Sequence, residues 1–188
     1  MMRGVVEQTQ GINQKIELIQ NAVLAGQIDQ AELLAGENDM YLLSVLVQAL
    51  YKEGYVTVAK ERLSRMDSGL LKKPVRPFLE LSYIWAEICY DEGRFAEAAP
   101  IFEEIASQSP VMASARYGAA SCYLQEAMYN LQRRIELYHP PQAEQEKIYK
   151  YIRDYNQALH IIQASGWHTE WSSTQAQNLP LHKSILVH

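Results

Sequence analysis

Glu80 and Glu87 stand seven residues apart, two helical turns, with Asp91 and Glu92 just beyond. Carboxylates paired on one helical face are what general acid–base catalysis uses. No nucleophile and no metal-ligand set accompanies them, so they read as a solvated acidic face. Cys89 and Cys122 are 33 residues apart. Two cysteines cannot make a four-thiolate zinc site or a disulfide framework, and free cysteine packs as a small apolar residue. The five histidines are His139, His160, His168, His182 and His188. None has a second histidine four residues away or a cysteine at ligand spacing, so no metal is expected. Glycine-rich phosphate loops, HExxH and GxSxG are all missing from the sequence. The sequence therefore predicts no catalytic residue, no cofactor and no enzyme.

Those residues must be carried by helices. Apolar residues recur at three- and four-residue steps through Ile12–Leu24, Leu42–Tyr51, Leu79–Tyr90, Ala96–Ala106, Ala113–Tyr138 and Ile148–Ala164. Turn signals fall between them at Gly26, Gly36, Gly54, Gly93, Ser109-Pro110 and His139-Pro140-Pro141. No comparable stretch alternates as a half-buried strand would. The expectation is an all-α chain of antiparallel helical hairpins, at about 10–36, 38–66, 75–108 and 111–165, followed by a tail from 166 to 188.

A glycine followed five residues later by an alanine occurs three times, at Gly26/Ala31, Gly54/Ala59 and Gly93/Ala98. The fullest unit reads Ser82-x2-Trp85-Ala86-x2-Cys89, Gly93-Arg94-Phe95, Ala98-x3-Phe102 and Pro110. This resembles the tetratricopeptide repeat (TPR). Moving by that family's period of about 34 residues carries Trp85-Ala86 to Ala119-Ala120. The resemblance covers roughly residues 12 to 126. It implies an α-solenoid of about four hairpins. The first repeat is short, and the second is extended by a loop around Asp67–Pro77. In the fourth, Ala127 replaces the turn glycine, so the helix runs on into a long last hairpin that acts as a cap. Leu124, Met128, Leu131, Ile135 and Tyr138 continue at coiled-coil spacing, and Ile148, Tyr151/Ile152, Tyr155, Leu159 and Ile162 make the matching stripe.

In a TPR solenoid the first helices of the hairpins line a concave groove, and the resemblance implies the same here. The helical wheel then places Tyr41, Ser44, Gln48 and Tyr51 on the groove side of the second unit. Glu80, Tyr83, Glu87 and Tyr90 take that side in the third, and Tyr117 and Ser121 in the fourth. Tyrosine supplies rigid contact area with a polar tip, and twelve of the eighteen aromatic residues are tyrosines. The alternative is that these rings only pack between neighbouring helices. Some TPR domains clamp a partner's carboxylate with basic residues. Here Ser44, Gln48, Tyr83, Glu87, Tyr117 and Ser121 hold the matching positions, so an apolar or basic peptide is the expected partner.

Composition narrows the partners further. The net charge of −5 speaks against nucleic acid, and no apolar run approaches membrane-spanning or signal-peptide length. A cytoplasmic protein is the resulting expectation. Residues 1–110 hold ten basic and sixteen acidic side chains, whereas 111–165 hold six and five. Lys60, Arg62, Arg65, Lys72, Lys73 and Arg76 form a basic stretch, either solvated or available for head-to-tail contact. The tail carries Trp167, Trp171, Leu179, Leu181 and Ile185-Leu186-Val187. Too apolar for a pure solvating tail, it supports a second reading, self-assembly or occlusion of the groove. An accessory subunit of an enzyme is a third.

Overall fold

The computed structural model describes residues 2–66, 68–72, 74, 78–109 and 113–164; every regular element among them is an α-helix. The chain divides into two compact units, Met1–Trp85 and Ala86–His188, and the division falls inside one helix.

The first unit holds α1 (Met2–Leu24), α2 (Ile28–Ala35), α3 (Met40–Lys52), α4 (Val56–Ser64), the five-residue α5 (Ser68–Lys72) and the first part of α6 (Leu79–Asp91). Helix α1 packs on α2 and α3, and α3 also packs on α2 and α4. Ile19, Val23, Ala31, Leu46, Val47, Leu50, Ala59 and Leu63 close its core. Asp39 caps α3, its Oδ1 accepting from the N–H groups of Tyr41 (3.0 Å) and Leu42 (3.2 Å). The segment expected as a plain loop around Asp67–Pro77 contains α5, whose Leu71 is buried. The Ser82 hydroxyl donates to the Leu70 carbonyl at 3.2 Å and ties α5 to α6.

The second unit holds the rest of α6, then α7 (Phe95–Gln108), α8 (Ala113–Tyr138) and α9 (Gln142–Ala164). Helix α8 packs on α7 and on α9, and it runs through Ala127 without a break. Phe102, Ile101, Ile105, Ala115 and Cys122 form its centre. Gly118 lets α8 approach α7. A Cβ built there would lie 2.9 Å from three atoms of the Phe102 ring.

The three Gly–Ala spacings are three copies of one turn. Gly26, Gly54 and Gly93 have φ of +72°, +83° and +75°, a left-handed conformation that a side chain disfavours. The glycine N–H donates to the carbonyl three residues back in each case: Val23, Tyr51 and Tyr90. The next N–H donates to the carbonyl five residues back, Ala22, Leu50 and Cys89, at 2.8 Å each time. This pair of bonds is the Schellman motif that ends a helix. The residue after each glycine then opens the next helix, its carbonyl accepting from Ala31, Ala59 or Ala98. All three alanines have no exposed surface, so a larger side chain there would push the hairpin apart.

Candidate interaction surface

On α3 the four groove-side residues do not share one environment. Ser44 and Tyr51 are buried, Gln48 is half-buried, and Tyr41 at the start of the helix is exposed. The Gln48 amide approaches the Ser44 hydroxyl at 3.4 Å. Helix α6 has buried side chains all round, from Leu81 through Tyr83, Ile84, Ala86, Glu87, Ile88 and Cys89 to Tyr90. Glu80 is exposed, and Trp85 is half-buried. On α8 Tyr117 is exposed and Ser121 is buried. Of the ten residues, then, Tyr41, Glu80 and Tyr117 have the access a contact surface needs, and Gln48 has part of it. The other six are core members whose contacts are within the chain.

Glu87 is the extreme case, a carboxyl with 0% exposure. Charge that far from water is tolerated only when paired or neutralised. In the same unit the Tyr90 ring packs edge-on against Phe95, with centroids 5.2 Å apart and planes at 65°. Burial pushes the Tyr90 hydroxyl pKa up, and the nearby Gln125 and Gln163 side chains act the other way. The Tyr90 hydroxyl of α6 therefore lies near both α8 and α9. Next to it, burial pushes the Cys122 thiol up to about 12, with Glu126 and Cys89 adding to the shift. A thiol so far from ionising is not a nucleophile. Asp91, at the last turn of α6, is raised to about 6 by burial and then by the neighbouring Glu92. The Ser121 hydroxyl is buried with no hydrogen-bond partner among the described residues.

Part of the basic stretch is taken up within the first unit. Arg62 holds Glu32 at two points, Nε donating to Oε1 at 2.7 Å and Nη2 reaching Oε2. Arg65 pairs with Glu61 one turn back. Lys73 and Arg76, like the apolar tail, lie outside the described residues.

Sequence reasoning passed over three features. Gln125 and Gln163 lie near the Tyr90 hydroxyl and oppose its shift, and their only signal was position: Gln125 lies four residues after Ser121, and Gln163 four after Leu159. Gly118, a lone glycine inside a helical period, is the close approach of α7 and α8. On the long hairpin, Arg133 stacks over Tyr129, 5.8 Å from the ring centre, and Arg134 grips Glu144 Oε1 from Nε (3.1 Å) and Nη2 (2.7 Å). That hairpin carries much of the exposed apolar surface of the described residues: Tyr129, Leu137, Tyr138, Tyr149, Tyr151 and Ile161.

Among the described residues no group of three His, Cys, Asp or Glu stands where it could hold a metal. No helix among them is long and apolar enough to cross a membrane. The chain matches no protein-family model, no curated protein and no solved structure.

Proposed function

We propose that the chain is a non-catalytic protein-interaction module built of TPR-like hairpins, and that it holds an apolar or basic peptide segment along the first helices of those hairpins. One observation carries this reading. The turns at Gly26, Gly54 and Gly93 repeat the same hydrogen bonds and bury the same alanine, so each hairpin is one structural unit used again. Repeated helical hairpins bury a continuous core by stacking and leave an extended surface whose use is recognition. The exposed members of the proposed surface, Tyr41, Glu80 and Tyr117, offer aromatic area and negative charge, which suit a peptide with apolar and basic residues.

The buried members decide how this must be tested. Truncating Tyr83 or Glu87 would disturb the core itself, so a loss of binding would say nothing about the surface. The informative variant is Tyr41→Ala with Glu80→Ala and Tyr117→Ala. A random peptide library is panned on the full chain and on this variant, with circular dichroism to confirm equal helix content. Enrichment of basic–apolar peptides on the natural chain, lost on the variant, is the expected result. The same peptides enriched on both, or none on either, would overturn the proposal.

A further inference from the structure

Helices α8 and α9 are 26 and 23 residues long, whereas α7 has 14. At 1.5 Å per residue α8 spans about 39 Å and α7 about 21 Å. The close approach of Gly118 to Phe102, with a short link joining α7 to α8, fixes their antiparallel register. Phe95, where α7 begins, is then level with roughly residue 125 of α8. Beyond that level α8 runs on to Tyr138 and α9 returns from Gln142, a two-helix arm about 18 Å long with no α7 beside it.

Two helices alone cannot enclose a core, and the arm shows it. Ile148 and Ile152 are buried, but Leu131 and Ile135 are only half covered, Leu137 is 59% exposed and Tyr138 75% exposed. An open cleft of about 580 Å³ runs along this side, lined by Ala127, Leu131, Arg134, Leu137, Tyr138 and Tyr155 among others. Charge indicates the occupant. The chain as a whole is −5, and its first 110 residues hold six more acids than bases. Between 127 and 155 five basic and four acidic side chains interleave, two bases and one acid on α8 and three of each on α9, with Arg134 and Glu144 already paired within the chain. A surface of nearly balanced, mixed sign complements its own copy under a two-fold axis, where the rest of an acidic chain would be repelled. We infer that the α8–α9 arm is a self-association surface, pairing with the same arm of a second copy to complete a four-helix bundle. This goes beyond the peptide-binding reading and uses none of its residues.

Light scattering on the full chain tests it. At about 100 µM the expected mass is twice the 21.5 kDa of one chain. Leu137→Glu with Tyr138→Glu, both on exposed positions, is expected to leave helix content unchanged and weaken association at least about tenfold. Leu137→Ala with Tyr138→Ala is the milder second variant, expected to weaken it in the same direction. A natural chain of single mass at that concentration overturns the inference. So does a dimer that survives both arm variants, or one that Trp167→Ser with Trp171→Ser abolishes while the arm variants leave it intact, which would assign assembly to the tail.

Discussion

Replacing Gly118 by alanine sets two ordinary effects against each other. In a helix interior alanine is favoured over glycine by about 1 kcal/mol, so a helix with room for the methyl group would gain that much. At Gly118 the new Cβ would sit 2.9 Å from Cδ1, Cε1 and Cζ of Phe102, well inside ordinary carbon contact. Phe102 has no exposed surface, so the ring cannot swing out, and α7 and α8 must separate instead. Over-packing a filled core costs about 1–3 kcal/mol, so Gly118→Ala should lose about 1 kcal/mol net. Gly11, on α1 with nothing within 4 Å of its would-be Cβ, is the control and should gain a few tenths to about 1 kcal/mol. Urea denaturation followed by circular dichroism measures both; opposite signs are expected. The Phe102→Leu background sharpens the test. A smaller side chain makes room for the methyl, so the two substitutions together should cost at least about 1 kcal/mol less than their sum. A stability gain for Gly118→Ala equal to that of Gly11→Ala, or strict additivity with Phe102→Leu, would refute the reasoning.

Two further outcomes follow from the second unit. The folded-state pKa of Asp91 is raised to about 6 against an ordinary 3.8, so the fold favours its protonated form. Its contribution to stability is therefore full below about pH 4 and is lost as pH rises through 6. Between pH 7 and pH 5 the urea midpoint of the natural chain should shift upward relative to that of Asp91→Asn; a constant difference would contradict this. Ser121→Ala removes a buried hydroxyl with no partner among the described residues while nearly keeping its volume. Stability should be unchanged or raised by up to about 1–2 kcal/mol, and a loss above about 1 kcal/mol in thermal melts would show that the hydroxyl is satisfied.

The hairpin turns were legible because their causes are local. A glycine in the left-handed region and an alanine one turn into the next helix leave a fixed spacing in the chain, and all three spacings correspond to the same turn. The unbroken course of α8 through Ala127 was legible for the same reason, since nothing there can end a helix. Burial on α6 was not. A helical wheel gives the direction of each side chain but not how many neighbours enclose it. Tyr83, Glu87 and Tyr90, assigned to an accessible face, are all buried in a helix whose covered positions run all round. Glu87 was the hardest of these, since an acidic side chain ordinarily lies in water. The paired stripes of α8 and α9 were visible as a seam, but Tyr138 and Tyr151 are exposed, because heptad spacing shows a contact face without showing how far the partner covers it.

The repeated turn also has a kinetic meaning. Each Schellman pair joins residues five apart or fewer, and each buried alanine is reached within nine residues of the carbonyl that closes the preceding helix. Loops this short close in tens of nanoseconds and lose little chain entropy in doing so. Three such turns, 28 and 39 residues apart, are three places where structure can begin locally. A chain with several equivalent starts can fold along parallel routes, as linear repeat arrays do. Each of these turns can then close on its own local sequence, before any contact distant in the chain has formed.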